Sequence, residues 1–415
     1  MNYIVETDTI IFDPEYNEPL DINLLCHYNK VIFSDYKLIE CLFDKYERTD
    51  STDLKYNHNK FNQLVDNLPK NITHLIFGYS FNQLVDNLPK HLIQLTFGYT
   101  FNQLVNHLPE HITHLNFGYT FNQPIDNLSK KITHLSIGNC FNHQIDNLPK
   151  QLIYLTFNTY IYRTIDNEHG HGRFIYDYSF NQSVDNLPKN LTHLTFGNEF
   201  NKHVDNLPNT LTHLTFGYTF NQQVDNLPNT LIQLIFGYNF NQPVDNLPNT
   251  LTQLMFNTEF NQSVDNLPNS LTHLTFGFYF NHSIDNLSEH LTHLTLGYNF
   301  NKKVDLPFNI TYLNLDCNNQ YLIDNLPNNI EELILEINFN LELNNLPTSV
   351  KSIFFVPDNN YNKELNCLPN FIDLIQLPRN YNKKILKIPE KLKTVICYEN
   401  YQFIKDFKNL NVETF

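Results

Sequence analysis

A segment that begins with Phe-Asn recurs every 20 residues through most of the chain, and this period constrains the fold more than any other feature. The opening phenylalanines are Phe61, Phe81, Phe101, Phe121 and Phe141 and, after one irregular stretch, Phe180, Phe200, Phe220, Phe240, Phe260, Phe280 and Phe300. Self-similarity at so short a period is typical of a solenoid, in which each unit buries its apolar face against its neighbours. We therefore expect one stack of repeats rather than several compact domains.

Each repeat contains one short segment with the alternation of a β-strand. From Leu231 to Phe236, the side chains of Leu234 and Phe236 share one face, whereas Gln233 and Ile235 share the other. A proline precedes this segment and a glycine follows it, which leaves about a dozen residues for turns and extended chain. A helix hardly fits there, so the pattern predicts a β solenoid with one parallel sheet.

The repeat pattern divides the chain into three parts. Residues 1–60 form an N-terminal cap with a degenerate repeat, 16–33, and a connector; residues 61–318 hold the regular repeats; and residues 319–415 hold divergent repeats and a second cap. Atypical terminal repeats are what capping requires, because an end repeat must cover a hydrophobic face on one side only.

Two motifs carry a resemblance to known families. The spacing Leu211-x-x-Leu214-x-Phe216 resembles the strand consensus of leucine-rich repeats. More specifically, Phe121-Asn122-Gln123-Pro124, followed by Asp-Asn-Leu, is similar to the FNIP repeats of amoebae and amoeba-infecting giant viruses. The resemblance implies a right-handed, leucine-rich-repeat-like coil with little or no helix.

Composition and charge exclude several functions. The formal net charge is -16, which disfavours nucleic acid and anionic membranes as partners. The N-terminus lacks the pattern of a secretory signal, and no apolar run reaches membrane-spanning length. Six scattered cysteines indicate neither a disulfide ladder nor a zinc site. We expect a cytoplasmic protein, in the host cell cytoplasm if the chain is viral.

No motif indicates an enzyme. Of 11 glycines, nine occupy one repeat position after the strand, so they predict a turn with positive φ or close backbone packing rather than a phosphate-binding loop. Nucleophile motifs of the hydrolase type are also missing from the sequence. We expect no catalytic residues, no cofactor and no bound metal.

Two polar columns follow from the repeat. The asparagine after each opening phenylalanine predicts an amide ladder that satisfies backbone groups, with a ligand-binding amide array as the alternative. One aspartate per repeat, as at Asp185 and Asp225, is expected to accept turn N–H groups and to face water. Binding of counter-ions or divalent cations is the alternative for this second column.

One irregular stretch, 161–179, interrupts the regular array. Asp166, Glu168, His169 and His171 are potential metal ligands there, but their spacing identifies no known site. We interpret the stretch as a local loop or bulge, and we expect its amide hydrogens to be the least protected of the array.

The alternation of the strands also predicts a binding surface. Residues that alternate with the buried leucine and phenylalanine must face outward, where they form columns of imidazole and hydroxyl groups. The candidate protein-binding residues are His74, His114, His134, His193, Thr195, His213, Thr215, His273 and His293.

The leading functional hypothesis is a non-enzymatic scaffold that binds unidentified protein partners through this sheet face. The alternative is a substrate-recruiting adaptor of a ubiquitin ligase, because some proteins with FNIP repeats carry an N-terminal F-box; residues 1–60 show no such motif. A third hypothesis, a metal-binding or catalytic module, requires a cluster of reactive side chains outside the repeat.

Overall fold

The computed structural model describes residues 3–35, 58–157 and 180–415. The irregular stretch 161–179, with its candidate metal ligands and its expected hydrogen exchange, lies outside these described residues. The chain divides into two compact units, residues 1–218 and 219–415.

The first unit contains ten strands and one short helix among its described residues. The strands are β1 (Tyr3–Glu6), β2 (Thr9–Phe12), β3 (Lys30–Phe33), β4 (His74–Ile76), β5 (Gln94–Thr96), β6 (His114–Asn116), β7 (His134–Ile137), β8 (Tyr154–Phe157), β9 (His193–Thr195) and β10 (His213–Thr215). Helix α1 spans Ile22–Leu25 and begins at Asp21, whose side chain accepts from two backbone N–H groups of the first turn.

The second unit also contains ten strands. They are β11 (Gln233–Ile235), β12 (Gln253–Met255), β13 (His273–Thr275), β14 (His293–Leu296), β15 (Tyr312–Leu315), β16 (Glu332–Leu335), β17 (Ser352–Phe355), β18 (Leu374–Gln376), β19 (Thr394–Cys397) and β20 (Asn411–Thr414). Helix α2 spans Gln320–Asp324, and a 3-10 helix spans Ile404–Phe407.

Parallel pairing in identical register joins consecutive repeats within each unit. Leu214 lies opposite Leu194, and Leu234 lies opposite Leu254. The expectation of a parallel β solenoid with almost no helix is thus confirmed. The strands are shorter than the predicted segment from Leu231 to Phe236, because the N–H of Leu231 turns back to the carbonyl of Pro228 at 3.2 Å.

Two strand pairs bridge the stretches that the structure does not describe. Strand β3 pairs directly with β4, and β8 pairs directly with β9, so that Tyr154 lies opposite His193. The same junction appears on the other side of the repeat, where the N–H of Asn181 donates to Oδ1 of Asn142 at 3.0 Å. The repeat that begins at Phe180 therefore stacks on the one that begins at Phe141.

The core consists of continuous stacks of phenylalanine rings. Phe77 and Phe81, from the end of one repeat and the start of the next, stack at 3.6 Å between ring centroids with 4° between their planes. Both rings then stack on their equivalents in the following repeat, Phe97 and Phe101, at 5.8 and 6.1 Å. All four side chains are at most 3% exposed. Such burial accounts for the strict recurrence of phenylalanine at both positions.

The repeat-position glycines are explained by close packing of the backbone. A Cβ atom on Gly98 would lie 1.9 Å from the carbonyl oxygen of Gly78, and one on Gly118 would lie 1.8 Å from that of Gly98. No L-side chain fits at such a distance, so close packing rather than positive φ accounts for glycine at these two positions.

The N-terminal cap contains a feature that the repeat pattern does not predict. Strand β1 pairs antiparallel with β2, and Thr7 in the turn between them has a φ of 50°. Strand β3 lies where the sequence predicts a degenerate repeat, and it pairs in parallel with β2. The hairpin gives the first rung a partner on its outer side, which a terminal edge strand needs.

Candidate functional site

The candidate residues lie on the sheet face opposite the core. In β9 and β10, Leu194 and Leu214 are at most 1% exposed, whereas His193, Thr195, His213 and Thr215 are half-buried on the other face. The same alternation places His74, His114 and His134 on this face of the first unit and His273 and His293 on that of the second unit. We call this surface the sheet face.

Four imidazoles and one phenol form a continuous stack on the sheet face of the first unit. Ring centroids are 4.1 Å apart from His114 to His134, 4.4 Å to Tyr154, 4.2 Å to His193 and 4.2 Å to His213. In the second unit, His273 stacks on His293 at 4.0 Å, and Tyr312 follows at 5.1 Å. His74 lies opposite Gln94 instead, so the sheet face is not one uniform histidine column.

A threonine before each of these histidines orients the ring. Oγ1 of Thr212 lies 2.8 Å from Nδ1 of His213 and 3.1 Å from the carbonyl oxygen of Thr192. Because a carbonyl only accepts, the hydroxyl donates its single proton there and accepts from Nδ1–H of the histidine. The neutral ring therefore carries its proton on Nδ1, which leaves Nε2 as an acceptor.

The same arrangement recurs in the other repeats that contain Thr-His. The threonine Oγ1 lies 2.8 or 2.9 Å from Nδ1 in the pairs that end at His74, His114, His134, His193, His273 and His293. These threonines belong to the candidate site and were not predicted from the exposed columns, although the repeated Thr-His dipeptide was a signal for them.

The surroundings of four sheet-face histidines, His74, His134, His193 and His293, favour the neutral form of the ring. Burial lowers the pKa of His134 and His193, and the neighbouring imidazoles lower both further. Burial, followed by His273, does the same to the pKa of His293. For His74, burial is again the first cause of a lowered pKa, and Lys30 is the second. These rings are therefore uncharged acceptors near neutral pH.

Within each unit, the rings of adjacent repeats are closer together on the sheet face than in the phenylalanine core behind it. In the first unit, His114 and His134 are 4.1 Å apart, whereas Phe101 and Phe121 at the start of the same repeats are 6.1 Å apart. In the second unit, the corresponding distances are 4.0 Å for His273 to His293 and 6.0 Å for Phe260 to Phe280. The sheet face is therefore locally concave in both units.

The aspartate column has a different set of donors from the one expected. Asn246 donates from Nδ2 to Oδ1 of Asp225 at 3.1 Å, and Asn266 donates likewise to Asp245 at 3.0 Å. The expected donors were turn N–H groups, and that detail is wrong for these pairs because the side-chain amide of the next repeat reaches the carboxylate. Ser183 and Asn206 donate to Asp185, and these bonds lower the pKa of its carboxyl.

The asparagine after each opening phenylalanine forms the expected ladder to the backbone. The N–H of Asn82 donates to Oδ1 of Asn62 at 2.9 Å, and the N–H of Asn102 donates to Oδ1 of Asn82 at 2.9 Å. Gln83 adds a side-chain bond from Nε2 to the carbonyl oxygen of Asn62 at 3.1 Å. These bonds tie adjacent repeats together on the side opposite the sheet face.

Two kinds of feature are absent from the described ranges 3–35, 58–157 and 180–415. These ranges contain no group of three or more histidine, cysteine, aspartate or glutamate side chains arranged to hold a metal ion. Their helices are all too short or too polar to cross a membrane. The sheet-face imidazoles stack in parallel, so that neighbouring Nε2 atoms do not converge on one point.

The fold and the periodic sheet face define a class: the chain is a leucine-rich-repeat-like β solenoid. The family model of the FNIP repeat matches eight overlapping segments, 61–100, 84–120, 101–129, 121–160, 180–219, 203–239, 220–259 and 240–279. Residues 61–160 and 180–279 are accordingly built from FNIP repeats, as the sequence motifs predicted.

Comparison with solved structures supports this assignment. The chain is similar to CroV588 of the giant virus CroV, described as a circular LRR protein, with a TM-score of 0.69, 32% identity and 97% of this chain covered. The chain spans 65% of the length of that protein. A comparison with curated proteins gives no match.

Two bacterial proteins are more distant. YopM of Yersinia enterocolitica WA-314 has a TM-score of 0.38 and 16% identity, with 81% of this chain and 90% of YopM covered. InlJ of Listeria monocytogenes has a TM-score of 0.44 and 14% identity, with 77% of this chain and 68% of InlJ covered. No catalytic family is found among these comparisons.

Proposed function

We propose that the chain is a non-enzymatic scaffold that binds protein partners through the sheet face. The observation that supports this most is the continuous ring stack from His114 to His213, which is half-exposed on the locally concave side. Stacked rings held by hydrogen bonds lose little conformational entropy on binding. Their apolar bodies and polar tips suit a protein interface.

The tautomer of the neutral rings indicates the chemistry of the partner. Each neutral imidazole in a Thr-His pair offers Nε2 as an acceptor, so the complementary surface should present N–H or O–H donors. Arginine, lysine, tyrosine and backbone N–H groups meet this requirement. The net charge of -16 adds attraction for a basic protein surface. We place the interaction in the cytoplasm, in that of the host cell if the chain is viral.

The test is a comparison of two variants with equal added charge. The first changes His193, Thr195, His213 and Thr215 to glutamate. Glu332 already occupies the position of the two histidines in β16, which indicates that the fold tolerates glutamate there. The control carries glutamate at four exposed positions outside the strands, Leu104, Gln144, His203 and Gln223. Both variants should retain the circular dichroism spectrum of the native chain.

Cross-linking in extracts of the producing cells, followed by mass spectrometry, then compares the captured partners. Loss of capture by the first variant and retention by the control is the expected result. Equal capture by both variants would place the binding surface elsewhere. Recovery of a Skp1-type ubiquitin-ligase subunit would favour the adaptor alternative.

A further inference from the structure

A polar groove of about 480 Å³ lies in the second unit, where several successive repeats begin. One wall consists of Asn241, Asn261, Asn281 and Asn301, which each follow an opening phenylalanine. The other wall consists of Glu259, Tyr279 and Asn299, which each precede one. The underlying phenylalanine rings are 6.0 to 6.1 Å apart, so the groove presents the same group at regular steps.

The asparagine wall presents unused donors. Oδ1 of Asn241 accepts from the N–H of Asn261 at 2.9 Å, and Oδ1 of Asn261 accepts from the N–H of Asn281 at 2.9 Å. A backbone N–H can donate only to the oxygen of an amide, so these bonds fix which end of each side chain is the nitrogen. Within the described part of the chain, Nδ2 of these three asparagines has no acceptor in the protein.

The opposite wall departs from the repeat. At the equivalent position in the first unit, Oγ1 of Thr100 and of Thr120 donates to the carbonyl of the preceding repeat, at 2.9 Å in each case. Glu259, Tyr279 and Asn299 keep the backbone bond to the preceding repeat at 3.0 Å. Their side chains make no such bond, and they line the groove instead.

The chemistry of the two walls identifies the ligand class. Three amide donors face a carboxylate, a phenol and a further amide, so a ligand must both donate and accept along its length. The carboxylate of Glu259 repels anions, and the wall residues offer no apolar pocket for a hydrophobic ligand. Hydroxyl groups donate and accept at once, and a half-exposed tyrosine ring can cover the C–H face of a sugar. We infer that the groove binds a neutral oligosaccharide.

The test uses three probes, maltotetraose, cellotetraose and chitotetraose, with the full-length chain. Isothermal titration gives the affinity, and spectra of asparagine labelled with 15N report the side-chain Nδ2 groups. We expect at least one probe to bind and to shift the amide signals of Asn241, Asn261 and Asn281. Absence of binding by all three probes at millimolar concentration would overturn the proposal.

Variants distinguish binding in the groove from non-specific binding of sugars. Changing Glu259, Tyr279 and Asn299 to threonine restores the residue found at Thr100 and Thr120, so the fold should be retained. We expect this variant to lose affinity by about tenfold or more. Glu199→Thr, at the same repeat position in the first unit, is the matched control and should bind normally. Unchanged affinity in the triple variant, or equal binding of a neutral Gly-Ser peptide, would refute a sugar-binding groove.

Discussion

His193 and His213 lie ring over ring at 4.2 Å with 9° between their planes, and Nδ1 of each contacts Oγ1 of the threonine before it. The two contacts together determine the chemistry of the sheet face. Stacking holds the rings in a fixed orientation. The threonine hydroxyl accepts from Nδ1–H, so the lone pair that can accept a hydrogen bond in the neutral ring is on Nε2. A repeated dipeptide thus produces an ordered row of rings whose neutral form has its hydrogen-bond acceptor at Nε2.

Thr212→Val should remove the contact that fixes the tautomer of His213, so that both neutral tautomers are populated. The variant loses the bond from Oγ1 to the carbonyl of Thr192 as well as the contact with Nδ1, at a cost of about 1 kcal/mol in the free energy of unfolding. Thr252→Val is the control, because Thr252 also bonds a backbone carbonyl but precedes Gln253. The 15N shifts of the imidazole should indicate Nδ1–H in the native chain and a tautomer mixture in Thr212→Val alone. A mixture already present in the native chain would contradict the assignment.

Acidification should destabilise the fold through the stacked histidines. The folded state lowers the pKa of His134, His193 and His293 below the ordinary 6.5, so the unfolded chain binds protons more readily. Their contribution to stability is therefore complete above the unfolded pKa and decreases as the pH falls through it.

The corresponding measurement is the melting temperature between about pH 7.5 and pH 5. Changing these three histidines to glutamine, which already occupies the position in β5 and β11, should reduce the pH dependence of the melting temperature. An identical pH profile in native chain and variant would show that the stack does not titrate as inferred.

The sequence predicted the rungs of the solenoid because a period of 20 residues repeats the same burial pattern a dozen times. It located the outward position of His213 from alternation alone, and the structure places the residue there. It did not predict the β1–β2 hairpin, which has no repeat to signal it and depends on a turn at Thr7. The sequence also did not decide whether positive φ or close packing explains the repeat-position glycines. The distance between adjacent backbones depends on how the repeats stack, and one repeat does not show it.

The candidate surfaces were only partly predictable for a related reason. Repeat columns are visible in the sequence, but the partner of each polar atom is not. The donor to Asp225 is the side-chain amide of Asn246, which is 21 residues later in the sequence. The pattern within one repeat therefore does not reveal this partner. The groove beside Glu259 and Tyr279 depends on residues that differ from the threonine of other repeats. Their side chains can be interpreted only by comparison with Thr100, whose hydroxyl donates to the preceding repeat.

Gly98→Ala should destabilise the first unit, because the added Cβ would lie 1.9 Å from the carbonyl oxygen of Gly78. The backbones of two adjacent repeats must move apart to remove this clash. We expect a loss of about 1 to 3 kcal/mol in the free energy of unfolding. Asn257→Ala is the matched control at the same repeat position, where a Cβ is already present and the side chain is exposed. Chemical denaturation measures both; equal stability of Gly98→Ala and native chain would refute the packing argument.

Asn246→Asp tests whether the amide donors between repeats stabilise the negatively charged aspartate column. The change replaces the amide donor to Asp225 with a second carboxylate, so like charges meet where a hydrogen bond existed. Asn127→Asp is the control, because the residue at the corresponding position of the preceding repeat is Asn106 rather than an aspartate. We expect a lower melting temperature for Asn246→Asp than for Asn127→Asp in dilute buffer. The difference should shrink in high salt; a difference that salt leaves unchanged would exclude charge repulsion as its cause.

The most direct test of the scaffold proposal is covalent labelling of histidines in the free chain and in its cross-linked or purified complex. Diethyl pyrocarbonate modifies neutral imidazole nitrogen, and mass spectrometry gives the rate at each position. His91, His111 and His203 are exposed away from the sheet face and serve as internal references. We predict that binding protects His134, His193 and His213 while the reference histidines react as before. Protection of the references with unchanged labelling of the sheet face would contradict the account.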